Sequence, residues 1–139
     1  MTTRERISHV DTAWLRMDRP TNLMQIVGVM IFDGRLDFQR FRRTVEARLL
    51  RYDRFRQCAV VEGSGAWWVE DRNFDLDAHI RHTLLPFPGG TTELQHYVAE
   101  LAATPLNPHR PLWEFQVVEM ETGDSALVDS SRRAGFDKA

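Results

Sequence analysis

Hydrophobic residues along the chain switch between a helical and a strand-like spacing, and the switches outline its elements. Val10, Trp14 and Met17 recur at helical intervals after Ser8, a good helix cap, and Arg19-Pro20 closes the segment. Met24 to Phe32 (MQIVGVMIF) is almost wholly apolar, rich in β-branched residues, and bounded by Pro20 and Asp33-Gly34. That pattern predicts a strand covered on both faces. Asp37 then caps a second helix whose apolar stripe is Phe38, Phe41, Val45 and Leu49. Its outer face carries Arg40, Arg42, Arg43, Arg48 and Arg51.

Arg54–Glu62 and Ala66–Asp71 flank Gly63-Ser64-Gly65, which predicts a hairpin with a three-residue loop. Phe74 to His82 fits neither period. Leu84 to Gly90 (LLPFPGG) is an extended loop, because its two prolines forbid helix. Thr92 and Gln95 have the spacing of a capping box ahead of Leu94, Tyr97, Val98, Leu101 and Ala102. After the irregular segment Pro105–Pro111 (PLNPHRP), Trp113 to Met120 alternates as a strand. Glu121–Asp124 turns, and Ser125 to Val128 starts a partner strand. Asp129 to Ala139 is polar and aperiodic, so a frayed tail is expected beyond a domain of residues 1–128. Helices mixed with hairpins predict an α+β domain, with helices packed on a mixed or antiparallel sheet.

Composition narrows this picture. A chain of 139 residues, 42% hydrophobic, suits one globular domain. Its one cysteine, Cys58, excludes an internal disulfide and any zinc site needing two thiolates. No apolar run reaches the about 18 residues of a membrane span. The first residues lack the apolar core of a signal peptide, so a cytoplasmic chain is expected. Net charge is −2, but residues 1–60 carry +5 and residues 61–139 carry −7. The basic half either faces an anion or forms a solvated helix face paired with the acidic half. A pI of about 6.2, and an arginine helix without interleaved aromatics, argue against nucleic acid.

Candidate chemistry is sparse. His79 and His82 lie i, i+3, but no third ligand follows at a metal-binding spacing, so partly exposed surface histidines are expected. His96 falls on the polar side of its helix. No phosphate-binding glycine motif and no nucleophile elbow occurs; Ser64 sits in EGSGA. Cys58, in a predicted strand with no base nearby in sequence, reads as a packed small residue. Pro111-Leu112-Trp113-Glu114-Phe115 reads as a rigid loop entering a strand, with Trp113 and Phe115 turned inward.

Three segments together resemble one family. DTAWLRMDRPTNLM (residues 11–24) looks like the opening of the bacterial wax ester synthase/acyl-CoA:diacylglycerol acyltransferases. FDLDAHIRH (74–82), with Leu85-Pro86 and Pro88-Gly89 after it, is similar to their FDLxxHvr…LPxPG stretch. Pro105-Leu106-Asn107 and Arg110-Pro111-Leu112-Trp113-Glu114 are similar to their PLDxxxPLWE segment. The family-matching positions are Asp11, His79, Pro86, Pro88, Gly89 and, as a structural motif, Pro111, Leu112, Trp113 and Glu114.

The resemblance implies the amino-terminal half of a chloramphenicol-acetyltransferase-like fold, in which two similar halves enclose a channel. It implies acyl transfer from acyl-CoA to diacylglycerol or a long-chain alcohol, in triacylglycerol and wax ester synthesis. Acyl-CoA is there a substrate, and no cofactor is implied. It also implies peripheral association with membrane or lipid inclusions.

The family's catalytic HHxxxDG motif should follow the strand beginning at Ser125. The chain reads DSSRR there, and no histidine has an aspartate four residues later. The expectation is a truncated family member, from a shortened gene, a frameshift or trimming, with no catalytic residue and no activity alone. The alternative is a non-catalytic domain that binds acyl chains or a partner. Either leaves surface that a missing carboxy-terminal half would cover, so self-association is expected.

Overall fold

The computed structural model of the chain describes residues 4–19 and 23–132. It contains two sheets. A four-stranded sheet runs in the order β2 (Gln25–Phe32), β7 (Ser125–Arg132), β6 (Trp113–Glu119), β5 (Ile80–Leu84). Its first two pairings are antiparallel and β5–β6 is parallel, so the sheet is mixed as expected. A smaller antiparallel sheet holds β1 (Arg4–Arg6), β4 (Gly65–Glu70) and β3 (Gln57–Glu62).

Helices cover both faces of the large sheet. On one face, α2 (Phe38–Arg48) places Val45, Phe38 and Phe41 against Ile80, Trp113 and Phe115. On the other, α3 (Thr91–Ala103) packs Leu94, Tyr97, Val98 and Leu101 on Val118, Ala126 and Val128. The small sheet shares a third core with α1 (His9–Met17), built on Ile7, Leu15, Trp68 and Leu112. The caps of α1 and α2 form as their sequences predict: Ser8 Oγ accepts from Asp11 N–H, and the Asp37 carboxylate accepts from Arg40 N–H.

Several expectations change. Helix α1 buries Thr12 and Leu15, while Val10 and Met17 are exposed; the Val10–Trp14–Met17 stripe had the wrong phase. The apolar strand β2 is not sandwiched. It lies at the sheet edge, with Ile26, Val29, Met30, Ile31 and Phe32 all exposed, Ile31 at 63%. The hairpin loop is Gly63-Ser64, two residues rather than three, because Glu62 pairs with Gly65. Asp53–Arg56 is a 3-10 turn instead of strand. Helix α3 is capped through Gly90, whose N–H donates to Glu93 Oε1 at 2.9 Å, not through Thr92 and Gln95. The ambiguous segment after Phe74 becomes a 3-10 turn (Leu76–Ala78) and then β5.

Strand β7 runs to Arg132, four residues past the expected end at Val128. As an interior strand it is paired by β2 and β6 over this stretch, so its polar residues stay extended. Asp129 fits there because it lies over Gly28, where a Cβ would come within 2.5 Å of its carboxylate. The frayed tail expected from residue 129 is corrected for 129–132; residues 133–139 lie outside the described part.

Candidate functional site

Apart from Asp11, the family-like residues fall in three places. The first is an aromatic stack around His79. The 3-10 turn ends at His79, whose carbonyl accepts from Phe115 N–H at 2.7 Å and whose Nδ1 meets the Trp113 carbonyl at 2.7 Å. That carbonyl accepts only, so Nδ1 carries the proton. Trp113 lies flat on the imidazole at 4.5 Å and Phe74 covers it at 5.1 Å. The indole N–H donates to the Phe55 carbonyl at 2.9 Å.

His79 is 2% exposed, which overturns its expected place at the surface. Nothing among the described residues partners its Nε2. Burial holds its pKa below the usual imidazole value, and the nearby Arg110 charge adds to this; the hydrogen bond to Trp113 and the charges of Asp71 and Asp75 oppose it. His79 is therefore a neutral ring inside the core. His82, on β5, does sit at the surface, stacked on Phe38 and 3.2 Å from Glu119. Pro111 and Leu112 are buried beside Trp113 at the strand entry.

The second place is the turn before α3. The Gly89 N–H donates to the Pro86 carbonyl at 2.7 Å across a cis Phe87-Pro88 bond. Gly89 has φ +68° and lies against Glu121: a Cβ there would meet Glu121 Cβ at 3.0 Å and its backbone nitrogen at 3.2 Å. Only glycine fits both the conformation and the approach. The Gly89 carbonyl then accepts from Glu121 N–H at 3.0 Å, tying α3 to the β6–β7 turn. Asp11 stands apart from both places, in the first turn of α1, where a negative charge complements the helix end.

The third place is a cleft of about 370 Å³ between α3, the ends of the large sheet and the 104–110 loop. Glu114 faces it. One carboxylate oxygen accepts from Gln116 Nε2 at 3.3 Å, and Gln116 in turn accepts from Tyr97 at 3.1 Å. Burial raises the Glu114 pKa, while the charges of Arg81 and Arg110 pull it back down. Sequence reasoning named Glu114 only as part of a structural motif and did not single out Gln116, Ser130 or Arg81. The available signal was their shared parity across three paired strands.

A separate cavity of about 530 Å³ is lined by Cys58, His109 and Arg132. The Cys58 thiol donates to the His109 carbonyl at 3.4 Å, and burial, helped by Asp71, pushes its pKa up to about 11. It is a packed thiol, not a nucleophile. Arg132 Nη2 pairs with Asp18 at 2.6 Å and donates to the Leu15 carbonyl at 3.3 Å, while its buried Nε has no partner among the described residues.

From residue 110 onward the sequence contains no histidine. Arg132-Arg133-Ala134-Gly135-Phe136-Asp137-Lys138 keeps the HHxxxDG spacing, with an adjacent pair and an aspartate four residues after its second member. By spacing alone, the two arginines fall where the motif has its histidines and Lys138 falls where it has glycine.

Comparison with known proteins agrees with this geometry. The model of the wax ester synthase/diacylglycerol acyltransferase catalytic domain matches residues 7–135. The Mycobacterium tuberculosis protein named "Probable diacyglycerol O-acyltransferase tgs3" is 34% identical over 137 residues, covering 93% of this chain and 50% of its own length. The O-acyltransferase WSD of Acinetobacter baylyi is 43% identical over 56 residues, 40% of this chain and 12% of that one. The chain thus spans half or less of the curated relatives it matches. Among solved structures, the wax ester synthase/diacylglycerol acyltransferase of Marinobacter aquaeolei VT8 superposes with a TM-score of 0.75 at 23% identity, covering 92% of this chain and 34% of that one. The starter condensation domain of rhizomide synthetase RzmA gives 0.74 at 14% identity, over 94% and 32%. These superpositions place the chain in the chloramphenicol-acetyltransferase-like fold, as about a third of it. By the extent of the domain match, the chain belongs to the wax ester synthase/diacylglycerol acyltransferase catalytic-domain family.

Proposed function

We propose that this chain is the amino-terminal lobe of an acyl-CoA-dependent O-acyltransferase and that it carries no general base of its own. One observation carries the reading: residues 110–139 hold no histidine, and by spacing Arg132 and Arg133 fall where the motif has its pair. Acyl transfer to an alcohol needs a group that takes the hydroxyl proton as oxygen attacks the thioester, with a pKa near the working pH. A guanidinium stays protonated at any working pH and has no acceptor lone pair to offer. Arg132 is moreover held by Asp18. Of the described histidines, His79 is walled in by rings and His82 is engaged with Phe38 and Glu119, which leaves His109 as the one to test first. The substrates of the complete fold are acyl-CoA with diacylglycerol or a long-chain alcohol. Its setting is peripheral, at a membrane or lipid inclusion; among the described residues no helix is long and apolar enough to cross a membrane.

Thiol release from palmitoyl-CoA, with diacylglycerol or hexadecanol as acceptor, tests the reading. The 139-residue chain should stay at background. Saturable turnover that disappears in His109→Ala would overturn it. A second reading, a binding surface for an acyl chain or partner lobe, draws on the exposed apolar edge strand β2. A monomer that ignores lipid vesicles would count against that one.

A further inference from the structure

We infer that the Glu114 cleft is a binding site for a compact phosphomonoester bearing a neighbouring free hydroxyl. This inference is independent of the acyl-transfer reading and rests on the cleft's own polar groups.

The floor is buried and incompletely satisfied. Ser130 and Gln116 are each 3% exposed, yet the Ser130 hydroxyl finds no hydrogen-bond partner among the described residues. A buried hydroxyl without a partner is unfavourable, so a ligand atom that reaches it is favoured. Ser130 is the direct cross-strand partner of Glu114, which places both side chains on one face of the sheet.

The wall is pre-organised. Thr83 Oγ1 lies 3.2 Å from Tyr97 Oη, Tyr97 donates to Gln116 Oε1 at 3.1 Å, and Gln116 Nε2 donates to Glu114 Oε2 at 3.3 Å. This chain crosses from β5 through α3 to β6 and holds Glu114 by one oxygen, leaving the other to accept from a ligand hydroxyl.

The rim supplies charge. Arg81 and Arg110 both line the cleft, both are exposed, and both act on the Glu114 charge. Among the described residues neither guanidinium has a carboxylate within 4.0 Å. Two cations against one carboxylate leave the cleft net positive. Guanidinium forks match phosphate oxygens in pairs. An anion held at the rim, with a hydroxyl directed between Glu114 and Ser130, uses Arg81, Arg110, Glu114 and Ser130 together. A volume of about 370 Å³ suits a ligand at the small end of the usual range.

Isothermal titration of the full 139-residue chain with sn-glycerol 3-phosphate, 3′-adenosine monophosphate and inorganic phosphate tests this. At least one of the two hydroxylated phosphomonoesters should bind more tightly than inorganic phosphate. Binding of the glycerol ester identifies a small polyol phosphate as the source, and binding of the nucleotide alone identifies a ribose phosphate. Arg81→Gln and Arg110→Gln, both at exposed positions, should each weaken binding about tenfold. Ser130→Ala should remove the advantage over inorganic phosphate, with unchanged circular dichroism showing that the fold is intact. The inference fails if neither ester binds better than inorganic phosphate. It also fails if the arginine variants bind as the parent does, which places the anion elsewhere.

Discussion

Replacing Trp113 with alanine should be among the most damaging single changes in the chain. Its side chain is 3% exposed and joins the core of Val45, Leu76 and Ile80 beneath α2. Truncating a buried Trp or Phe costs about 3–5 kcal/mol from lost transfer energy and the residual cavity. Here the indole also supplies the donor to Phe55, and losing that bond costs about 1 kcal/mol more. Its contacts with His79 at 4.5 Å, Phe115 at 5.7 Å and Phe55 at 5.8 Å are lost together. These terms overlap, so about 4–5 kcal/mol is expected, a large share of the stability of a domain this size.

Urea unfolding followed by near-ultraviolet circular dichroism reads the effect. With a slope of about 1.5–2 kcal/mol per molar, the midpoint should fall by about 2–3 M. Trp113→Phe keeps a ring on His79 but loses the indole donor, and should cost about 1–2 kcal/mol. Trp67→Ala is the control: Trp67 lies half-buried on the small sheet under Arg4, and about 1 kcal/mol is expected there. A Trp113→Ala midpoint within about 0.5 M of the parent would refute the reasoning that PLWE is a core anchor.

Gly89→Ala should cost about 2 kcal/mol or more, since it adds a Cβ at φ +68° and 3.0 Å from Glu121; urea midpoints check this. Stability should fall as pH drops below about 6.5, because the unfolded chain binds a proton that neutral, buried His79 does not, and His79→Gln should flatten that slope. Ile31→Lys, on the exposed edge, should reduce self-association seen by light scattering while leaving the unfolding free energy within about 0.5 kcal/mol of the parent.

The sequence carried the local rules well and the long-range ones poorly. Ser8 and Asp37 cap their helices because a side-chain oxygen three residues before a free N–H suffices, and that is legible in four letters. The α2 stripe was legible for the same reason: Phe38, Phe41 and Val45 share one face whatever covers it. Which side of α1 is covered depended on the small sheet, so Thr12 and Leu15 displaced Val10 and Met17. β5 was hidden because IRHTL has little apolar content and gains its order from the parallel pairing to β6. The apolar run in β2 could not say whether it lies inside a sheet or at its edge. Of the candidate residues, Trp113 was readable as a packing position, while the turn at Gly89 lay inside a segment read only as extended loop. The depth of His79 and the Glu114 cleft required three strands to be in register.

The central claim is that this lobe folds as its family does but lacks a proton acceptor at the end of β7. The direct measurement is thiol release from palmitoyl-CoA by a chimera in which residues 7–135 and the three that follow replace the matching segment of the Mycobacterium tuberculosis tgs3 protein. The unmodified chimera should be silent. The same chimera carrying Arg132→His, Arg133→His and Lys138→Gly should gain at least about a hundredfold over background, the scale of a positioned general base. Turnover by the unmodified chimera at the rate of native tgs3 would contradict the account.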